Sequence, residues 1–443
     1  MKRKLVMPNA LAQLVAKIIS SAIGFVYFFK NLKSGLKGKK TQTPEGFSPI
    51  LRFVACSDIH LNGDETQDNA IRFKNLIEDA YKYSQTQSHN TLDALMVVGD
   101  FAGGGAEEEY AAFNKIVGSV LKDETKLLTV LGNHEFINYR DVDPTVGYDV
   151  YKKMINEAVD TDIVVNGYHF IGVSYDDNGK TFSGKTTWLR ERLESATKED
   201  PTKPVFVYQH PSPTLTIYGS ISWSDPDIKK VLKSFPQVVD FSGHSHYSPS
   251  DPRSVWQGEF TAIGCGSLGA LMGNLNYIEG DHDAPGKSAA AWIVEVDKNG
   301  NVSLKLYDVE NRMFFENVDY YFTNLSNASK RTYTWHQQKS LDTAPQFPEN
   351  SSVKNTSDEN GDVLISFPEA RGYYEAENYK INVKNNGKKI FEKTVISEYV
   401  RATNDDVKVN VGKLEKGNYT VKTTAYSPYT KKGGTLKNSI TID

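Results

Sequence analysis

An α/β unit built on mixed sheet, followed by a small all-β sandwich, is the fold class the sequence predicts. Short apolar runs alternate with helix-period stretches from Pro49 to about Asn317. Near Ala344 the pattern changes to polar–apolar alternation broken by Asn, Gly and Asp. At 443 residues, 39% apolar and 24% charged, the chain is long enough for two or three folded units with a large core. That composition excludes a collagen, a coiled coil, a polytopic membrane protein and a wholly disordered chain. Two cysteines, Cys56 and Cys265, both in apolar runs, cannot form a disulfide framework.

The first segment, 1–44, is basic and apolar. Residues 1–40 hold nine Lys and Arg and no acid. Leu11, Leu14, Val15, Ile18, Ala22, Phe25, Val26 and Phe29 recur at helical spacing. The uncharged run 18–29 is too short for a hydrocarbon core of ~30 Å. The segment reads as a membrane-surface helix or export signal, which would make the protein membrane-associated, exported or cell-surface. An ordinary docked helix in a cytoplasmic protein is the alternative. The rest of the chain holds 42 basic against 55 acidic residues, an acidic body that argues against bulk nucleic-acid binding.

The α/β unit occupies 49–325. Buried strands are expected at 51–56, 92–98 and 127–131, with helices at 67–83 and 107–121 between them. Strands at 163–165, 169–173, 205–209, 238–241, 260–263, 290–296 and 302–307 follow, with helices at 184–196 and 226–234. The short turns late in this series add antiparallel character. Residues 326–345, polar and turn-rich, read as a linker with some packing. From 346 to 443, six strands are expected, at 362–367, 379–384, 389–395, 407–411, 419–426 and 435–442, which describes a β-sandwich. The stretch Leu414-Glu-Lys-Gly417-Asn-Tyr419 resembles the tyrosine corner of fibronectin type III domains, and the resemblance implies a unit that braces or presents its neighbour.

Five of the nine histidines fall where strands of the α/β unit end. Asp58-Ile-His60 follows the first strand, Gly99-Asp100 the second and Gly132-Asn133-His134-Glu135 the third. Gln209-His210-Pro211 and Gly243-His244-Ser-His246 follow two later strands. In open α/β sheets, ligands bind beyond the carboxyl ends of the strands, so these groups converge on one place. A lone Asp-x-His is an ordinary turn; five such elements in order are a site. Carboxylate, imidazole and amide without thiolate suit Mn²⁺, iron as Fe²⁺ or Fe³⁺, or Zn²⁺. Seven candidate ligands are too many for one ion and fit two if one carboxylate bridges them. Two dications about 3.5–4 Å apart suit in-line displacement at phosphorus.

The series Asp58-x-His60, Gly99-Asp100, Gly132-Asn133-His134-Glu135, His210 and Gly243-His244-x-His246 resembles the full signature of the calcineurin-like metallophosphoesterases. The resemblance implies a four-layer α/β/β/α sandwich of two central mixed sheets flanked by helices. It also implies that Asp58, His60 and His246 hold a first metal, that Asn133, His210 and His244 hold a second, and that Asp100 bridges both. His134 would be a non-ligand that contacts the phosphate and protonates the leaving oxygen, with Asn133 helping to stabilise the added charge. Purple acid phosphatases have a Tyr ligand three residues after the Gly-Asp aspartate, where this chain has Gly103. The Arg with which protein Ser/Thr phosphatases clamp a phosphomonoester after that motif is also missing. Gln209-His210-Pro211 and Gly243-His-Ser-His246 are instead similar to the bacterial class III cyclic-nucleotide phosphodiesterases.

The expectation is therefore a phosphodiesterase with two metal ions, acting on a small phosphodiester such as a cyclic nucleotide through a hydroxide that bridges the metals. A phosphomonoesterase or nucleotidase is the alternative, and a non-catalytic surface-binding protein on a relic phosphoesterase fold the remote one. Two loops would shape the pocket: 212–225, with Tyr218 and Trp223, and 267–287, with Tyr277. Their aromatic rings either stack a nucleobase or pack the loops down. Asp281-His282-Asp283 reads as a hydrated turn.

Overall fold

The computed structural model describes residues 43–143, 145–176, 181–272, 288–403 and 405–442. Residues 1–42 of the basic segment, Tyr277 and the Asp281-His282-Asp283 turn lie outside them. Among the described residues, no helix is long and apolar enough to cross a membrane.

The chain begins with β1 (Pro49–Cys56), α1 (Asp68–Gln85), β2 (Ala94–Val97), α2 (Glu107–Val120), β3 (Lys126–Thr129) and α3 (Thr145–Met154). It continues through β4 (Thr161–Val165), β5 (Tyr168–Gly172), α4 (Thr186–Glu199), β6 (Val205–Tyr208) and the short pair β7 (Ser212–Pro213) and β8 (Ser224–Asp225). Next come α5 (Pro226–Leu232), β9 (Val238–Ser242), β10 (Val255–Gln257), β11 (Thr261–Gly264), β12 (Ala290–Asp297), β13 (Val302–Asp308), β14 (Met313–Phe322) and α6 (Trp335–Leu341). The C-terminal part holds β15 (Lys354–Ser357), β16 (Val363–Phe367), β17 (Asn378–Asn385), β18 (Lys388–Ile396), β19 (Val407–Asn410), β20 (Gly417–Tyr426) and β21 (Lys432–Ile442).

Two six-stranded mixed sheets form the α/β unit, in the orders β14-β13-β12-β1-β2-β3 and β10-β11-β9-β6-β5-β4. In the first, β1, β2 and β3 are parallel and β12 runs against β1. In the second, β5, β6, β9 and β11 are parallel. Alternation along β1 explains why it reads as an apolar run broken only by Arg52, which is buried in an ion pair with Glu295, because both of its faces are covered. Leu51, Phe53 and Ala55 join the cluster shared with the second sheet, whereas Val54 and Cys56 join the cluster that includes the helices. Phe53 meets Phe170 and Phe206 edge-on at 5.0 Å and Phe241 at 5.7 Å, fastening the two sheets face to face. On the outer side, Phe73 of α1 stacks on Phe113 of α2 at 5.4 Å.

The C-terminal part is a three-stranded sheet, β15-β16-β19, and a four-stranded sheet, β18-β17-β20-β21, over a core of Val363, Ile365, Phe367, Tyr379, Ile381 and Val421. The Tyr419 hydroxyl donates to the Glu415 carbonyl at 2.9 Å, tying β20 to the turn before it. Residues 326–345, read from the sequence as a linker with some packing, are partly helical and packed. They contain α6, whose Thr334 and Gln337 form a reciprocal capping box and whose Gln337 and Gln338 are buried. The turn after β18 also penetrates the α/β unit: Ile396, Tyr399 and Val400 belong to the inter-sheet core, and the Ala402 N–H donates to Asp308 Oδ2 at 2.8 Å.

Candidate active site

The loops after β1, β2, β3, β6 and β9 meet at one end of the two sheets. Backbone bonds join the first two: the His60 N–H donates to the Asp100 carbonyl at 3.0 Å and the Leu61 N–H to that of Phe101 at 2.9 Å. The glycines before the polar residues allow this approach. A Cβ on Gly132 would collide with Asp100 Oδ1, and one on Gly243 would collide with Ser57 Oγ and Asp58 Oδ2. Asp58, His60, Asp100, His244 and His246 all have positive φ, between 49° and 67°. Left-handed backbone is costly for residues with a Cβ, and its concentration here marks a site whose geometry the surrounding structure imposes.

Three groups of side chains place potential ligand atoms within 4.8 Å of one another: Asp58, His60 and His246; Asp100, His210 and His244; and, between them, His60, Asp100 and His134. His246 Nε2 lies 2.9 Å from Asp58 Oδ1, and His210 Nε2 lies 2.9 Å from Asp100 Oδ2. Asp100 thus belongs to ligand groups on both sides. Asn133 stands beside them at the start of the turn after β3, and its Oδ1 is buried without a hydrogen-bond partner. Asp58 Oδ1 and His210 Nε2, though close to opposite groups, also make no well-formed hydrogen bond. Orphaned buried polar atoms of this kind are costly unless a further partner completes them, and this donor set fits a pair of cations.

The imidazoles are oriented from behind. His210 Nδ1 bonds the Val98 carbonyl at 2.8 Å, His246 Nδ1 that of Ala270 at 3.1 Å, and His134 Nδ1 that of Gly103 at 2.8 Å. Each contact fixes the tautomer and turns Nε2 toward the centre. Burial pushes His60 and His244 down to about 4, which leaves neutral lone pairs. Burial also opposes a charged His210, yet Asp100 and Asp58 push that ring up to about 10. Burial alone would raise the Asp58 carboxyl, but His246, His210 and His60 hold it below the ordinary range. The carboxylates are thus set in a field that demands positive charge, and incoming cations would displace the proton now supplying it.

Sequence reasoning named Glu135 without giving it a role. Its buried carboxylate accepts from the Gly132 N–H at 2.6 Å, the Ala102 N–H at 3.0 Å and the Asp100 N–H at 3.1 Å, joining the loops after β2 and β3. Burial, then the nearby Asp100 charge, push it up to about 8. Gly103, the position compared above with the purple acid phosphatase tyrosine, is tightly enclosed: a Cβ there would lie 3.0 Å from the Leu61 carbonyl oxygen and 3.3 Å from Glu109 Oε1. Of the aromatic residues expected at the pocket, Trp223 is partly exposed and meets the His244 ring edge-on at 5.1 Å. Tyr218 does not join it. Its ring is buried, packed on Tyr247 at 4.7 Å with the Arg253 guanidinium 3.7 Å from its centre, so its face is not open to a base.

A second buried carboxyl lies beside Gln209, the residue before His210. Asp240 is fully buried on β9, takes a hydrogen bond from Gln209 Nε2 at 3.1 Å, and is pushed by burial to about 8. Because the folded-state value is raised, the folded protein holds a proton here that the unfolded chain loses above the ordinary value of 3.8. Stability from this group is therefore full below that value and falls as pH rises toward 8. Asp240→Asn, which imitates the protonated form, is expected to flatten the decline between about pH 4 and 8 in urea unfolding measured across pH. An unchanged slope would refute the assignment.

Residues 51–248 match the family model described as calcineurin-like phosphoesterase. The match covers somewhat less than half of the chain, and over that span the chain is similar to calcineurin-like phosphoesterases. Among solved structures, the chain is similar to a purple acid phosphatase from yellow lupin (Lupinus luteus) seeds, at 12% identity and a TM-score of 0.43, over 63% of this chain and 55% of that one. It is also similar to a 5'-nucleotidase precursor from Thermus thermophilus, at 15% identity and a TM-score of 0.37, over 60% and 55%. The matched region thus spans about half the length of each. No curated protein matches the sequence. The matched span supplies all five ligand-bearing loops, since Asp58 to His246 lie within it.

Proposed function

We propose that the protein is a phosphodiesterase using two metal ions, with a small phosphodiester, first of all a cyclic nucleotide, as substrate. The observation that carries this reading is the position of Asp100, within ligand reach of His60 and His134 on one side and of His210 and His244 on the other. Bound there, two ions such as Mn²⁺, iron or Zn²⁺ would supply Lewis acidity and lower the pKa of a water. Asp58, His60 and His246 would hold one ion and Asn133, His210 and His244 the other, with Asp100 shared.

The chain's own contribution is position and proton transfer. His134 keeps one proton on Nδ1 against the Gly103 carbonyl and turns Nε2 inward, 3.9 Å from Asp100 Oδ2. Protonated at Nε2 as well, it can give that proton to the departing ester oxygen. Asn133 offers an acceptor to the cation and an amide donor to a phosphoryl oxygen. Trp223 gives the open side of His244 an aromatic edge against which a base can settle.

A monoesterase is the second reading, and one observation favours it. Arg140 is exposed, and its Nη2 lies 3.5 Å from the Asn133 carbonyl, so a guanidinium stands beside the turn that carries Asn133 and His134, where it could assist a phosphomonoester dianion. With Mn²⁺, bis-p-nitrophenyl phosphate is expected to be hydrolysed with a higher kcat/KM than p-nitrophenyl phosphate. A clear monoester preference defeats the leading reading. The basic segment 1–44 supports membrane association or export. The three-on-four sandwich with its Tyr419 tie supports a fibronectin type III-like reading of residues 346–443.

A further inference from the structure

The sequence reads residues 326–345 as a linker with some packing, and the C-terminal unit also meets the α/β unit through a buried ionic contact between Arg253 and Glu377. We infer that Arg253 is a positioning residue that ties the substrate loop 212–225 and the segment after His246 to the C-terminal sandwich, so that the active-site geometry depends on the docked sandwich. This rests on the catalytic reading above for its effect on turnover, but not for the tie itself.

Arg253 is 7% exposed. Its Nε donates to Asp251 Oδ1 at 2.8 Å and its Nη2 to Asp251 Oδ2 at 2.5 Å, a bidentate pair from its own segment. The remaining donors cross to the sandwich: Nη1 to the Pro428 carbonyl at 2.7 Å and Nη2 to the buried Glu377 carboxylate. The flat face of the guanidinium covers the Tyr218 ring at 3.7 Å, and the Tyr218 N–H donates to the Arg253 carbonyl at 2.9 Å. Tyr218 in turn packs on Tyr247, the residue after His246, and Gly219 is a glycine because a Cβ there would strike the Tyr247 ring at 2.6 Å. The Trp223 N–H donates to the Gly219 carbonyl at 3.1 Å, which carries the same support to the ring lying on His244.

A continuous packed path therefore runs from Glu377 through Arg253, Tyr218 and Tyr247 to the strained His244–His246 turn. Lysine could not replace Arg253, because it lacks both the planar face and the forked donors.

The test uses the full chain and compares Glu377→Gln and Arg253→Lys with Tyr379→Phe. The last is a control that removes a hydroxyl bonded to Glu369 and to the Ala370 N–H within the sandwich core. In hydrogen exchange, Glu377→Gln and Arg253→Lys are expected to speed exchange of 212–225 and 245–250 by about tenfold. They are also expected to lower kcat/KM for bis-p-nitrophenyl phosphate by about tenfold or more, with Mn²⁺ content unchanged. Tyr379→Phe should lower Tm and do neither. Unchanged exchange in both loops overturns the tie. Faster exchange with unchanged kcat/KM overturns its role in positioning. A wild-type chain that hydrolyses no ester defeats the catalytic reading instead, and the exchange measurement still decides the tie.

Discussion

His134→Ala is expected to lower kcat by about 10²- to 10⁴-fold while metal content and fold stay near wild type. The size follows from the loss of a positioned proton donor, and the selectivity from geometry. The Nδ1 contact of His134 is to the Gly103 carbonyl, and its N–H is held by Asp100 Oδ1 at 2.8 Å, so the backbone of the turn stays anchored after the ring is removed. His134 also lies within ligand distance of His60 and Asp100, so an alternative role as a third-site ligand makes a distinct prediction. Elemental analysis of the variant separates the two. Turnover and metal lost together would make His134 a ligand; turnover lost alone would make it the acid.

Glu135→Ala should be the most destabilising single change at the site. It strands the N–H groups of Gly132, Ala102 and Asp100 in a fully buried position, at about 1–3 kcal/mol each. A loss of about 3 kcal/mol or more in urea unfolding is expected, together with a roughly 10- to 100-fold weaker Mn²⁺ affinity, because Glu135 orients the loop carrying Asp100. Glu135→Gln keeps one acceptor oxygen and should fall between. Equal metal affinity in wild type and Glu135→Ala, measured by titration, would show that Asp100 does not need this support.

Much of this architecture could be read from the chain because its central strands are buried on both faces and are therefore nearly pure apolar runs. Val54 and Phe53 face different cores, so both are apolar, and the abrupt polarity of Asp58 and His60 just beyond them stands out. Elements without that contrast stayed hidden. Helix α3 contains Gly147, β15 is a mostly exposed edge strand of Lys, Asn, Thr and Ser, and α6 buries glutamines instead of aliphatic side chains. The role of Glu135 was not legible either. The N–H groups it gathers come from three loop positions, and only the folded chain brings them together. Tyr218 shows the converse. An aromatic residue in a pocket loop reads equally as a base platform or as loop packing, and only the structure shows its face taken by Arg253.

The turn that follows β18 has a consequence for how this protein can be divided. With Ile396, Tyr399 and Val400 part of the buried cluster shared by the two six-stranded sheets, cutting the gene at residue 325 would remove part of the α/β unit's own interior along with its neighbour. A stretch cloned or swapped with its core intact therefore has to run past Val400, and what looks in the text of the sequence like a detachable accessory is closer to a keystone.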